Sequence, residues 1–430
     1  MPYRYRLRAY QRETLNAPFT MELVPDWLSP EFLSQCLKNE DDLRDIVITK
    51  FETSRAVAPG EYYSSCPTRV KVDYQNSKDD HQVHSLYLIL KSELQGGAVK
   101  DIVDSFGCSE SVFYKSFMPE ARLLANVPFV PKSYFSPIFA TIVLEDLKQQ
   151  GFKMADKSQG LDFDHCRLYV TAVAALHAVS YEVLKEHPEF IESIGKEKLF
   201  SHGLQVTYGL QKMLRNGMRC LFEYIEAVDK FKKYSNIIKD SSGSLYDTVA
   251  EVVKPREEDF NTMIHGDSWT NNMLFRYGNN GSVEEIKLLD FQLVRYASPL
   301  VDIVYFIWTS ANDDVRTNKL DELYKIYTDE LNKSLSKINS TTNLSYENVK
   351  RKVKELSPLA LCMAVVIPIF TSKDSVSDIE PIFMKGNEEK TYEIYKTFYS
   401  HGSFYTNRLP KLVKQLENTG VFDYLQEIAQ

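Results

Sequence analysis

The sequence predicts an α+β fold in two lobes, a small strand-rich lobe over residues 1–147 and a larger helical lobe over residues 148–430. Three observations lead to it. From about residue 45 to residue 147, short runs alternate apolar and polar residues, the period of half-buried strands, with one helix inserted. After residue 147 the apolar positions recur mostly at helical spacing. Between the two regions lies a short connection, Glu145-Asp146-Leu147, and a cleft between lobes is a natural ligand site.

In chain order, Arg69 to Tyr74 alternates polar and apolar, a polar loop with Asn76, Asp79 and Asp80 follows, and Ser85 to Lys91 forms the return strand. Together they predict a hairpin with a long tip. Asp104 to Met118 is the inserted helix, with Phe106, Val112, Phe113 and Phe117 on its apolar side and Pro119 as its stop. Tyr134 to Phe139 and Thr141 to Leu144 read as two further strands. A glycine-punctuated polar segment, Lys148 to Gly160, opens the larger lobe. Asp162 and Asp164 are placed to cap a helix from about His165, whose buried face is Leu168, Ala172, Ala175, Leu176 and Val179. Leu199 to Tyr234 reads as largely helical. Thr262 to Ile264, Met273 to Phe275 and Ile286 to Leu289 read as short strands. From Leu300 onward the pattern is mostly helix, broken by the Ser/Thr/Asn-rich loop Ser334 to Ser345. There is no internal repeat and no low-complexity tract.

Composition narrows the function classes. With 430 residues, 43% hydrophobic and 26% charged, the chain is globular and long enough for two or three domains' worth of core. A net charge of −8 argues against a nucleic-acid partner held through its phosphates. Met1 to Gln11 is rich in Arg and Tyr, without the apolar centre of a secretory signal. The longest apolar run, Leu359 to Phe370, contains Pro368 and is too short to span a bilayer, so it is read as a buried helix and no membrane is expected. The cysteines at 36, 66, 108, 166, 220 and 362 form no CxxC pair. They imply neither a metal site nor a disulfide framework, and are expected as reduced thiols in a cytoplasmic protein. The sequons at Asn280, Asn332, Asn339 and Asn343 are then ordinary loop residues. No protein partner is expected.

The chemistry concentrates in residues 265–292. His265-Gly266-Asp267-Ser268-Trp269-Thr270-Asn271-Asn272 is followed, after a turn-rich gap, by Leu288-Leu289-Asp290-Phe291-Gln292. An Asp, an Asn five residues on, and a second Asp after an apolar strand match the needs of phosphoryl transfer from ATP. Asp267 is the candidate base that accepts the proton of an attacking hydroxyl, while Asn272 and Asp290 are candidate Mg²⁺ ligands. Alone, each would be an ordinary turn, loop or strand-end residue; their order and spacing weigh against that. His265 is read as shaping the loop, Gly266 as permitting a tight backbone, and Asp302 as a helix cap or an anchor for the loop's N–H groups. Lys91, ending its strand, is placed to reach ATP phosphates if a carboxylate orients it, and Glu110 on the inserted helix is the candidate partner. The turn Pro59 to Ser65, including Ser64 and Ser65, is a candidate cover for the phosphates, although it lacks a G-x-G-x-x-G pattern.

These residues resemble the ecdysteroid kinase-like family of arthropods, within the wider group of aminoglycoside and choline kinase-like phosphotransferases. The resemblance runs over roughly residues 20–410. It is carried by Pro25-Asp26-Trp27-Leu28, Gly60-Glu61-Tyr62-Tyr63-Ser64-Ser65, the helix with Phe106, Glu110, Tyr114 and Pro119, Val143-Leu144-Glu145-Asp146-Leu147, and Leu176-His177-Ala178-Val179-Ser180. The 265–272 and 289–292 motifs are its most specific parts. The resemblance implies a two-lobed protein-kinase-like fold. It gives Asp267 the catalytic role, Asn272 and Asp290 the magnesium, Lys91 the phosphates with Glu110 as its partner, and the backbone of Glu145 to Leu147 the adenine. It further implies phosphorylation of a steroid-type alcohol, an ecdysteroid or a dietary toxin, in a site between the catalytic loop and the C-terminal helices. Trp269, Tyr305, Phe306 and Trp308 are candidate walls for such an acceptor, though each taken singly reads more readily as core. One departure is Cys66-Pro67 after the two serines, where Pro removes a backbone donor.

Two other classes are weighed against this. A protein kinase would need Arg in place of Gly266, Gly after Asp290-Phe291, and an Ala-Pro-Glu segment; the chain has none of them. A choline- or aminoglycoside-type kinase shares the same motif. A non-catalytic ligand-binding protein on this fold would lack the equivalents of Lys91, Asp267 or Asp290, and all three are present.

Overall fold

The structure, a computed structural model, describes residues 25–56, 67–77, 81–92, 107–203, 205–372, 382 and 386–428. Its two lobes are those expected: an antiparallel sheet toward the N-terminus and a mostly helical remainder. The sheet contains β1 (Val47–Arg55), β2 (Thr68–Gln75), β3 (His84–Lys91), β4 (Ser133–Tyr134) and β5 (Ile142–Glu145), in the order β1-β2-β3-β5-β4. The expected hairpin is β2–β3, with Val70 opposite Leu88. The turn Pro59 to Ser65, with Ser64 and Ser65, lies outside the described residues.

Side-chain alternation gives the two faces of β3 to two different cores. Leu88 and Leu90 are buried with Val70 and Val72 beneath α1 (Pro30–Leu37). Ser29 caps that helix by accepting the Phe32 N–H at 3.2 Å. Ile89 faces the other way and packs against the core of the larger lobe. Lys91 has the parity of Ile89, so period-two geometry aims it toward the inserted helix.

That helix departs from expectation in an instructive way. It runs as α2 (Ser109–Val112), a π-helical turn over Phe113–Phe117, and α3 (Met118–Leu124). Pro119 therefore does not end it. In a regular helix the Pro ring would clash with the carbonyl four residues back. Here Met118 N–H bonds to Phe113 O, five residues back, and this wider turn precedes Pro119, which occupies the first turn of α3. Phe113, Tyr114 and Phe117 join the large-lobe core.

Two other elements are shorter than the pattern suggested. Of the Tyr134–Phe139 stretch only Tyr134 is strand, as the second residue of β4, because Pro137 removes a donor and Thr141 N–H closes a turn onto Ile138 O. Residues 199–203 are not helical. The Glu197 carboxylate accepts the N–H groups of Lys198, Leu199 and Phe200, diverting them from helix bonds.

The larger lobe includes α4 (Phe163–Glu186), α5 (Gln205–Ala227), α6 (Leu300–Ser310), α7 (Leu320–Lys337) and α8 (Ser357–Val366). Asp162 caps α4, as read from the sequence, accepting the His165 N–H at 3.1 Å. Every residue of α8 is buried, so the Leu359–Phe370 run is core. Among the described residues no helix is long and apolar enough to cross a membrane, and Cys36, Cys108, Cys166, Cys220 and Cys362 are free. The short strands β6 (Thr262–Ile264) and β9 (Arg295–Ala297) pair with each other, and β7 (Met273–Tyr277) pairs with β8 (Val283–Leu288).

Helices α5 and α8 cross at Gly217, where a Cβ would lie 2.7 Å from Val365 O. Gly217→Val should destabilise the fold by about 1–3 kcal/mol through overpacking, and more than the Ala variant, whose higher helix propensity returns about 1 kcal/mol. Equal melting temperatures for wild type and Gly217→Val would contradict the close approach.

Candidate active site

Three pieces of chain meet here: the end of β3, the inserted helix, and the loops flanking β7–β8. Lys91 Nζ lies 2.7 Å from Glu110 Oε2 and 3.1 Å from Asp290 Oδ1. All three side chains are mostly buried. Burial disfavours the ammonium, but the Asp290 and Glu110 carboxylates outweigh it and raise the Lys91 pKa, so the lysine stays charged. Glu110 Oε1 also accepts the Phe291 N–H at 3.3 Å. The inserted helix thus touches both the lysine and the segment carrying Asp290.

An aromatic stack reinforces that contact. Phe113 lies on Phe291 with ring centroids 4.0 Å apart, and Phe291 meets the His265 ring at 4.7 Å. Asp290 itself has φ of +67°, a left-handed conformation that Asp tolerates better than most residues. Such backbone strain gathers at functional sites.

The catalytic-loop candidates form a second cluster. Asn272 Nδ2 donates to Asp267 Oδ2 and to Asp267 O, both at 2.9 Å. Tyr305 OH donates to Asp267 Oδ1 at 2.8 Å. Burial, then the nearby Asp290 charge, raise the Asp267 pKa, while the Tyr305 and Asn272 hydrogen bonds pull it back down.

The loop is held from below by Asp302, which is fully buried. Its carboxylate accepts the His265 N–H at 2.7 Å and the Gly266 N–H at 2.9 Å, with His177 Nε2 at 3.2 Å. Burial works against its charge, but the His177 hydrogen bond and the neighbouring histidines prevail, holding its pKa low. Asp302 therefore acts as the anchor of the loop and not as a cap of its own helix. His265 Nε2 lies 2.9 Å from Leu289 O, and its Nδ1 accepts the Asp267 N–H at 3.3 Å. Both ring nitrogens are thereby engaged with backbone, consistent with a loop-shaping role.

Gly266 has φ of +83°, and a Cβ there would collide with Leu293 O and the Arg295 guanidinium. Arg295, fully buried, donates from Nη1 to Gly266 O at 2.9 Å. Sequence reasoning gave no role to Arg295 or Tyr305 in this loop. The only signal was that Tyr305 stands three residues after Asp302, one helical turn on the same face.

The lobe connection is pinned at Glu145, whose carboxylate accepts the Lys132 N–H at 2.9 Å and pairs with Lys287 at 3.0 Å. Asp146 N–H bonds to Tyr87 O at 3.0 Å, and Leu147 is buried. Of the expected aromatic wall, Tyr305, Phe306 and Trp308 are core, and Phe306 stacks on Tyr169 at 3.8 Å. Trp269 is half-buried. A cavity of about 370 Å³ whose lining includes Arg215, Met218, Arg219, Phe222, Glu388 and Tyr392 shares no residue with this set.

A divalent cation is testable against the donor atoms. Among the described residues no group of three or more His, Cys, Asp or Glu is arranged to hold a metal ion. Asn272 and Asp290 instead offer an amide oxygen and a carboxylate, since Asn272 spends its Nδ2 on Asp267. That sparse, all-oxygen set fits Mg²⁺, which is held by few protein ligands and completed by water and phosphate.

The strand-rich lobe and the mostly helical lobe together define a two-lobed kinase-like α+β fold. The sequence pattern of the ecdysteroid kinase-like family matches residues 59–340, more than half of the chain, and the chain belongs to that family. Its members are phosphotransferases, and the kinase-like family implies use of ATP. No curated protein matches the chain.

Gly266→Ala should lower the melting temperature by several degrees and abolish turnover, because the side chain displaces the loop. Asp302→Ala should cost about 3–5 kcal/mol in denaturant unfolding, leaving buried N–H groups and His177 without their acceptor. A cost below about 1 kcal/mol would show that the loop holds itself.

Proposed function

We propose that this protein is a small-molecule kinase transferring the γ-phosphoryl group of ATP to a hydroxyl of a steroid-like alcohol, an ecdysteroid or a hydrophobic xenobiotic. The observation that carries the kinase chemistry is the convergence of Lys91, Glu110 and Asp290 from both lobes, beside the Asp267–Asn272 pair. The family supports the steroid class of acceptor by its name.

In this mechanism Lys91, oriented by Glu110, binds the α- and β-phosphates. Asn272 and Asp290 would hold Mg²⁺, which when bound neutralises phosphate charge. Asp267 orients the acceptor hydroxyl and accepts its proton as the bond to phosphorus forms. Its raised pKa suits a base working closer to neutrality than an exposed Asp. The backbone of Glu145 to Leu147 takes the adenine. Half-buried Trp269, two residues from Asp267, is the aromatic surface offered to the acceptor.

The test is Mg²⁺-dependent ADP release from ATP across ecdysteroids, plant steroids and glycosides, choline and an aminoglycoside. A steroid should stimulate release. Asp267→Asn should keep ATP binding and lose about 100-fold or more of turnover. Asp290→Ala should lose the metal-dependent part of nucleotide binding, read by titration with and without Mg²⁺. Stimulation by choline alone would reassign the acceptor class, and full turnover in Asp267→Asn would remove that residue as the base.

A further inference from the structure

Two adjoining cavities in the larger lobe share no lining residue with the Lys91–Glu110–Asp290 and Asp267–Asn272 clusters. The first, of about 370 Å³, lies among α5, the helix Ser235–Ser241 and the helix Glu388–Ser400. The second, of about 300 Å³, shares Arg215 and Ser242 with it, so Arg215 stands where the two meet. Sites for small organic molecules run from roughly 300 to 1,000 Å³, and the first cavity is of that size. Helical spacing builds its floor. Arg215, Met218, Arg219 and Phe222 recur along one stripe of α5, while Gly217 lies off that stripe and packs on Val365. Met218 is fully buried and Phe222 half-buried, which makes the floor apolar.

Tyr392 adds an aromatic wall that is already fixed. Its hydroxyl donates to Glu223 Oε1 at 2.7 Å, and the Arg219 guanidinium sits over its ring, 3.4 Å from the centroid. A wall held in place beforehand loses little freedom when a ligand arrives. The charges around it are not all spent. Arg219 is committed to Tyr392 and to Glu223 at 3.5 Å. Glu388 accepts the Tyr208 hydroxyl at 2.8 Å, and the Lys212 and Arg215 charges lie near it. Among the described residues, neither Arg215 nor Lys239 donates a side-chain hydrogen bond or joins an ion pair. Glu389 is the one acid of this lining in the same condition, so the uncommitted cations outnumber it.

We infer that this cavity is a second binding site, taking an amphipathic anion: a rigid apolar body of steroid size that carries one sulfate, phosphate or carboxylate group. The body lies against Met218, Phe222 and Tyr392, where apolar and aromatic surface is on offer. The anionic oxygens meet Arg215 and Lys239, and hydrogen bonds between charged partners are the strong ones. The phosphate ester of a steroid-like alcohol is a molecule of this class. That link rests on the proposed function, whereas the site itself does not.

The experiment is calorimetric titration of the full chain with dehydroepiandrosterone sulfate, beside the neutral diketone androstenedione. Neither has a free hydroxyl to accept a phosphoryl group, so neither is a substrate. Wild type should bind the sulfate, and bind the diketone about tenfold or more weakly than that. Arg215→Glu and Lys239→Glu should each weaken the sulfate about tenfold or more. Both side chains are exposed, so the two variants should melt close to wild type. Trp269→Ala, which alters the surface offered to the acceptor, should bind the sulfate as wild type does. No binding by wild type, or unchanged affinity in either charge-reversed variant, overturns the proposal. Loss of binding in Trp269→Ala alone overturns it too, because the sulfate then sits beside the catalytic loop. Failure of every alcohol to stimulate ADP release would count against the kinase reading and leave the outcome of this titration as it stands.

Discussion

A single buried carboxylate, Asp302, sets the path of the loop on which the chemistry depends. The His265 and Gly266 N–H groups belong to a turn, and Asp302 accepts both. A buried N–H without an acceptor costs about 1–3 kcal/mol, so two such groups would not stay in place unaided. The carboxylate is in turn held by His177 on α4, whose other nitrogen meets Tyr327 on α7 at 3.1 Å. Three helices therefore define where two backbone amides point. Gly266 fits between this anchor and Arg295 only because it lacks a side chain.

Lys91 supplies the matching constraint between the lobes. Its strand belongs to the small sheet, yet both of its carboxylate partners lie elsewhere, one on the inserted helix and one beyond β8. Phe113 stacked on Phe291 places the inserted helix against the segment that bears Asp290. Moving that helix would separate the Lys91–Glu110 pair, the Glu110–Phe291 bond and the ring stack together. The geometry of the phosphate side is thus tied to the packing of one short, π-turned helix.

Much of this was legible in the chain. Alternation in Arg69–Tyr74 and Ser85–Lys91 located β2 and β3 because a pleated strand has one period. Asp162 was a readable cap because a short side-chain acceptor next to an apolar helical run has few other uses. Asp267, Asn272 and Asp290 stood out by spacing, and the structure brings Asp267 to Asn272 and Asp290 to Lys91. Less legible was anything decided by competition between partners. Pro119 reads as a stop until a π-turn precedes it, Glu197 captures N–H groups that the pattern assigned to helix, and Phe306 and Trp308 went to the core rather than to a ligand wall.

The sequence by itself determined the two-lobe order, the hairpin that ends in Lys91, and the acidic motif with its glycine, since each is written in local periodicity or in residue types at fixed separations. Only the tertiary structure decided that Asp302 anchors the loop and not merely its own helix, and that Tyr305 and Arg295 hold that loop. Those pairings join residues distant along the chain. They depend on which faces are buried against which, a quantity that appears only when the helices have packed.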